Sequence, residues 1–363
     1  MNKYNLPLRT IWRTSHGQVK IIDQTHLPHH LIISEIDSLE EAVKAIKEMK
    51  VRGAPLIGVT ASFGLALAMS EDSSDSGLSQ AYQYLLKTRP TAMNLSWALD
   101  QMMSILIKLP NSERKKSAFL FAEEMIRRDV LTCRKIGEHG ADLILKTKQK
   151  RKINRTINIL THCNAGWLAA IEWGTALAPI YVANELGYDI HVWVDETRPR
   201  NQGSALTAWE LSQKNIPHTI IVDNAGGHLI QEGLVDMCIV GADRVSSSGD
   251  VCNKIGTYLK ALAAKDNKVP FYAAIPFSTV DWSISNGMRD TPIEERGQDE
   301  VLNIVGLSDD GKIRRVALAP EHSQAANYSF DVTPARLLTG LITEDGIFSA
   351  SKSGLNNFRK GHK

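Results

Sequence analysis

The feature that most constrains this chain is a series of five short apolar runs in its C-terminal half, the first four ending on polar residues. They are TINILTH (156–162), DIHVWVD (189–195), HTIIVD (218–223), DMCIVGAD (236–243) and VPFYAAIP (269–276). Each has the length of a strand and is rich in β-branched residues. Between them lie stretches with helical spacing, among them WLAAIEWGTALAPIYVANEL and GSALTAWELSQKN. Strands that are apolar on both faces and alternate with helices specify βαβ units and a parallel sheet covered on both sides. Residues 151–363 therefore read as a Rossmann-like, doubly wound domain.

The N-terminal part follows another pattern. Residues 8–36 read as short strands with a turn at Ser15-His16-Gly17. From Ser38 the spacing turns helical, through SLEEAVKAIKEMKV and APLIGVTASFGLALAM, and two long helical stretches follow between Asn94 and Leu145. Ser38 with Glu41 has the form of a capping box. Residues 1–150 thus read as a mainly helical domain with a small β-sheet, and the whole chain as α/β. The basic run Lys146, Lys148, Lys150, Arg151, Lys152, Arg155 reads as a solvated linker. The tail SASKSGLNNFRKGHK reads as mobile.

Charge is nearly balanced, 42 Lys+Arg against 40 Asp+Glu, so no basic field invites nucleic acid or anionic lipid. The opening MNKYNLPLRTIW lacks a signal pattern. Leu56–Met69 is too short to span a bilayer, and Gly166–Ala183, read as one helix, carries Glu172 in its middle. A soluble, cytoplasmic protein is expected, with neither nucleic acid nor membrane as partner. Cys133, Cys163, Cys238 and Cys252 show no CxxC spacing and are expected as reduced thiols, Cys238 as a packing residue.

The strand ends carry the chemistry. His162-Cys163-Asn164, Asp195-Glu196-Thr197-Arg198, Asp223-Asn224 and Gly241-Ala242-Asp243-Arg244 all fall at carboxyl ends of parallel strands, where open α/β sheets hold ligands. No GxGxxG, GxxxxGK[ST], HExxH or CxxC motif is present, so no nucleotide, metal or other cofactor is expected. VRGAPLIGV places Arg52-Gly53-Ala54 before Pro55, at a helix start. Amides and a guanidinium there form an anion site, or Arg52 is simply a surface residue. Asn253-Lys254 is a second candidate, read as opening a helix. Cys163 stands ahead of a helix expected from Trp167. It is either a thiol of lowered pKa or an inert strand-end residue. His162 reads as a structural, hydrogen-bonded residue, and Asp195, Glu196 and Arg198 as an ion network lining the crevice.

RGAPLIGV, TRPTAMNL, THCNAGWLA, VWVDETRPRNQGSALTAWEL, VDNAGGHLI, IVGADRVSSSGDVCNKIGTYLKALAAK, PFYAAIPFSTVDW, PIEER and FDVTPARLLTGLITEDGI run in collinear order from about residue 50 to 347. Together they resemble the methylthioribose-1-phosphate isomerase family. That fold family also holds regulatory subunits of eukaryotic translation initiation factor 2B and ribose-1,5-bisphosphate isomerases. The resemblance implies a homodimeric aldose–ketose isomerase of methionine salvage that acts on a small-molecule sugar phosphate without a cofactor. It implies Cys163 and Asp243 as the catalytic pair, and Arg52, Gly53, Ala54, Arg89, Gln202, Asn253 and Lys254 as substrate-binding residues. Two departures bear on the group at the sugar's C5: Trp167 stands where the family usually has a small residue, and Arg200-Asn201 where leucines are more common. The alternatives are an isomerase of 5-deoxyribose 1-phosphate or another ribose 1-phosphate, and a non-catalytic regulatory subunit. A proton relay and a hydride shift both remain open as the route, as does which of the pair handles which proton.

Overall fold

The computed structural model describes residues 9–89 and 92–362. Leu8, which opens the first strand pattern, most of MNKYNLPLRTIW, and Pro90-Thr91 of TRPTAMNL lie outside the described residues. The chain starts with an antiparallel sheet of β1 (Ile11–Arg13), β2 (Val19–Asp23) and β3 (Ile32–Ile36). Five helices follow: α1 (Leu39–Lys47), α2 (Ala54–Glu71), α3 (Asp75–Leu86), α4 (Met93–Leu106) and α5 (Asn111–Lys150). Ser38 Oγ accepts the Glu41 N–H, while the Glu41 carboxylate takes the N–H of Asp37, one residue before the expected capping-box partner. Among the described residues α2 alone has the length and apolarity of a membrane span. It lies inside the helical core, packed against α1, α3, α4 and α5.

The remaining elements are β4 (Ile157–Thr161), α6 (Ala178–Glu185), β5 (Ile190–Asp195), α7 (Ala208–Gln213), β6 (His218–Ile221), α8 (Ala225–Gln231) and β7 (Met237–Val240). Then come β8 (Arg244–Ser246), β9 (Val251–Lys254), α9 (Thr257–Asp266), β10 (Phe271–Ala274), β11 (Val280–Asp281), α10 (Gly287–Asp290) and α11 (Asp299–Leu302). The chain closes with β12 (Asn303–Leu307), β13 (Ile313–Ala317), β14 (Phe330–Thr333), β15 (Gly340–Thr343), β16 (Gly346–Phe348) and α12 (Lys352–Lys360). The main sheet has the order β16-β15-β10-β7-β4-β5-β6, with only the edge pair β15–β16 antiparallel. All five apolar runs are strands of it. Successive side chains feed opposite cores, as a strand's alternation requires. Ile157, Ile159, Met237 and Ile239 pack with α5 and α6, whereas Leu160, Cys238 and Val240 pack with α8, α9 and α12. From β4 the chain winds outward to β5 and β6. It then returns to the other side of β4 for β7, so the switch point lies between β4 and β7.

Two expectations are corrected here. The basic run is not a linker: Lys146, Lys148 and Lys150 lie in the last turns of α5, where cations suit the helix C-terminus. Arg151 then donates to the Asp236 carbonyl, and Arg155 binds the Asp236 carboxylate at 2.7 and 3.1 Å. Nor is the tail free, since its residues 352–360 form α12. Ser351 caps that helix, and Leu355 and Phe358 are fully buried.

Candidate active site

The crevice at the switch point is built from both halves of the chain. Cys163 follows β4 and Asp243 follows β7, the two strands that flank the switch. Arg52, Gly53, Ala54, Cys163, Asp243 and Asn253 line one small cavity of about 30 Å³. Arg89 and Asp243 line a second, of about 20 Å³. Arg52 and Gln202 also face a larger chamber of about 590 Å³. Asp243 is half-buried where the two small cavities approach each other, and Lys254 is nearly buried with its ammonium 5.0 Å from the Phe330 ring centre.

The anion-binding loop is held at its backbone. Gly53 precedes α2 with φ of 93°, and a Cβ there would lie 2.4 Å from the Ala169 carbonyl oxygen. Only glycine permits that approach. Arg52 turns inward: Nη1 donates to Asn164 Oδ1 at 2.5 Å, Nη2 to the Asn164 carbonyl at 2.9 Å, and Nη2 lies 3.8 Å from Cys163 Sγ. Arg89 pairs with Glu294 at 2.8 Å, and Glu294 also holds Arg296. Burial would push the Glu294 carboxyl up, but the two arginines outweigh it and hold it low.

Asn253 and Lys254 do not open a helix. They lie in β9, paired with β14, and α9 begins after a left-handed Gly256. The expected helix from Trp167 is also absent. Only Trp167–Ala169 makes a short 3₁₀ turn, and α6 starts at Ala178. Glu210, fully buried in α7, is responsible: its carboxylate takes the N–H groups of Trp167 (2.9 Å) and Leu168 (3.1 Å) and so holds them in a turn. It also accepts from Asn164 Nδ2 at 2.8 Å and from the Tyr181 hydroxyl.

Cys163 therefore does not cap a long helix. Its φ is 66°, rare for a residue with a side chain. Its N–H donates to Thr197 Oγ1 at 2.8 Å, its carbonyl accepts from Thr207 Oγ1 at 2.7 Å, and its thiol donates to Gln202 Oε1 at 3.2 Å. Burial pushes the thiol up, opposed by Arg52 and Lys254 and reinforced by Asp243. The lowered thiol pKa is thus corrected: without a helix dipole, desolvation wins. Burial likewise raises Asp243, against Lys254, Arg89 and Arg52, and lowers Lys254.

His162 bridges the Asp195 carboxylate (2.8 Å) and the Ile255 carbonyl (2.8 Å), a structural role. Asp195 pairs with His162 and with Lys260 (3.2 Å), not with Arg198, whose guanidinium donates to the carbonyls of Pro199 and Val301. His162, Asp195 and Asp223 bring ligand atoms within 4.8 Å of one another, but the Lys260 ammonium already supplies the cation beside Asp195. Sequence reasoning missed Thr207, Tyr181 and Glu210. For Glu210 the available signal was one acidic residue within the apolar spacing of LTAWEL.

With Cys163 and Asp243 at the two central strand ends and the Arg52 loop brought over them, similarity can be weighed. A model of the initiation factor 2 subunit family matches residues 50–350. The chain belongs to this family. A methylthioribose-1-phosphate isomerase of Paramagnetospirillum magneticum is 58% identical over 350 residues, covering 96% of each chain. Within the initiation factor 2 subunit family fold, 5-methylthioribose 1-phosphate isomerase from Pyrococcus horikoshii OT3 superimposes with a TM-score of 0.82 at 37% identity. That match covers 98% of this chain and 97% of the other. A structure named translation initiation factor eIF-2B, subunit delta, from A. fulgidus superimposes at 0.76 with 38% identity, covering 94% and 96%.

Proposed function

We propose that the chain is an aldose–ketose isomerase that converts 5-methylthioribose 1-phosphate into 5-methylthioribulose 1-phosphate, a step of methionine salvage. One observation carries the reading. Cys163 and Asp243 share a small cavity at the switch point, beside Arg52 and within the electrostatic reach of Arg89 and Lys254. Three cations suit a phosphate dianion, and Asp243, its carboxyl raised by burial, suits the role of general acid. Relatives 54–58% identical over nearly the whole chain are named methylthioribose-1-phosphate isomerase, against 38% for the structure named as a translation factor subunit.

The phosphate ester on C1 blocks spontaneous ring opening, so the enzyme must break the bond between C1 and the ring oxygen. Asp243, kept protonated by burial, gives its proton to that oxygen as the bond breaks. The hydrogen on C2 then moves to C1 with its electron pair, and C2 becomes the ketone as its hydroxyl sheds a proton. That proton returns to Asp243 through Cys163, which takes one proton as it passes on its own. The balance is complete: the ring oxygen gains a proton, the C2 hydroxyl loses one, and no oxidant is consumed. A hydride shift is favoured over a proton relay at carbon because the un-ionised Cys163 thiol is not a base for a C–H bond. Arg52, Gly53, Ala54, Arg89, Gln202, Asn253 and Lys254 bind the sugar phosphate.

The inner cavities hold about one water each, so the substrate enters from the chamber faced by Arg52 and Gln202. The protein works as a cytoplasmic homodimer with no nucleic-acid or membrane partner. Initial rates with 5-methylthioribose 1-phosphate and with 5-deoxyribose 1-phosphate test the reading, with and without exhaustive chelation. Metal-independent turnover, faster with the methylthio sugar, is expected. No turnover overturns the isomerase, a preference for the deoxy sugar overturns the C5 assignment, and a metal-restorable loss overturns the cofactor-free mechanism. Light scattering that gives one chain mass across a wide concentration range overturns the dimer.

A further inference from the structure

Glu210 is a fully buried carboxylate in α7 that lines none of the cavities of the site. We infer that Glu210 is a positioning residue, one that fixes the orientation of the Asn164 side-chain amide and through it aims Arg52 at Cys163. All four groups that meet Glu210 are donors: the N–H groups of Trp167 and Leu168, the Asn164 amide and the Tyr181 hydroxyl. Burial raises the Glu210 pKa, opposed by these four donors, and in either protonation state its Oε1 can accept from the Asn164 amide.

The Glu210 carboxyl oxygen in turn decides which end of Asn164 faces which neighbour. Asn164 Nδ2 reaches Glu210 Oε1 at 2.8 Å and Thr207 Oγ1 at 3.1 Å. Thr207 spends its hydroxyl hydrogen on the Cys163 carbonyl, so it too offers Asn164 a lone pair. Two acceptors on one side fix the NH₂ there and leave Oδ1 for Arg52 Nη1. An amide turned the other way would set NH₂ against a guanidinium. Arg52, so anchored, keeps its second nitrogen 3.8 Å from Cys163 Sγ. Gly166 belongs to the same device, since a Cβ there would sit 1.8 Å from Glu210 Oε2.

The test is Glu210→Gln, nearly isosteric, which puts an NH₂ where a donor already points. Two readings are taken beside the melting temperature. The first is kcat and KM for the sugar phosphate. Misplacing a binding group by an ångström can lower a rate by about a hundredfold, so a fall of about ten- to a hundredfold in kcat/KM, largely in KM, is expected. The second is the pH dependence of Cys163 alkylation by iodoacetamide, followed by peptide mass spectrometry without substrate. Its midpoint is expected to move to higher pH as Arg52 loses its aim. The rescue is Glu210→Gln combined with Asn164→Asp, which returns a carboxylate to Arg52 and lets the new amide at 210 donate to it. The double variant is expected to regain most of the lost kcat/KM and the normal alkylation profile.

A single variant with unchanged kinetics and alkylation overturns the inference. So does a double variant no better than the single. If the single variant does not fold, the double decides alone, upholding the inference with near-normal alkylation and overturning it without. The kinetic arm rests on the isomerase reading, whereas the alkylation arm needs no substrate. An inactive protein with a shifted profile therefore sinks the isomerase and leaves Glu210 in its role.

Discussion

Replacing Cys163 and Cys238 separately by alanine separates a working thiol from a packing one. Cys238 lies in β7 between Leu160 of β4 and Phe271 of β10 and is fully buried. Cys163 lines a cavity, so its sulfur packs against protein on one side only. Its φ of 66° strains alanine as much as cysteine, so the backbone contributes nothing to the difference. Losing the Cys238 sulfur should destabilise the fold by about 1–2 kcal/mol, transfer and cavity terms together. Losing that of Cys163 should destabilise it by about 1 kcal/mol or less, mostly the thiol's bond to Gln202. Turnover should show the opposite order. A positioned acid–base group contributes at least about a hundredfold, so Cys163→Ala should fall by that much while Cys238→Ala stays near normal per folded molecule. Thermal melting and initial rates on both proteins are the assay. Near-normal turnover of Cys163→Ala refutes the proton-passing role.

In D₂O the product should carry no deuterium at C1 by NMR; incorporation in step with turnover refutes the hydride shift. Asp243 must be protonated to act, and burial raises its pKa. Activity should therefore persist below that raised pKa and decline as pH rises through it, and a rate flat across the alkaline range contradicts this. Burial also lifts Asp129 to about 7, against about 3.9 in an unfolded chain. The folded state alone holds that proton between the two values, so this contribution to stability is full below the lower and lost as pH rises through the upper. Asp129→Asn should flatten the decline in melting temperature over that window, and an unchanged slope counts against it.

Apolar runs of strand length made the main sheet legible, and with it the crevice, because a strand buried on both faces needs no partner information to be read. The Cys163 loop was not legible in the same way. WLAAIEWGTALAPIYVANEL has helical spacing throughout, and what interrupts it is Glu210, distant in sequence, taking the amides of Trp167 and Leu168. The anion loop at Arg52 showed its glycine and proline, but not the carbonyl of Ala169 that demands the glycine. Arg89 was reached by resemblance alone, since its partner Glu294 lies 205 positions away. The tail concealed α12 because two buried residues, Leu355 and Phe358, among Ser, Asn and Lys make too short a stripe to register.

α5 spans 40 residues, a rod of about 60 Å. Its Ala118, Phe119, Ala122, Met125 and Ile126 serve the helical core, and its Ile136, Ala141 and Ile144 the parallel sheet. One unbroken helix thus sets the rotational phase of two interiors at once. Inserting a single residue near its middle would turn everything downstream by about 100°, swinging Ile144 from the sheet toward water while the first interior stayed intact. Side-chain changes along this rod can be absorbed locally, but changes in its length cannot, so lineages of this protein should vary freely in the loops around α5 and hardly at all in its residue count.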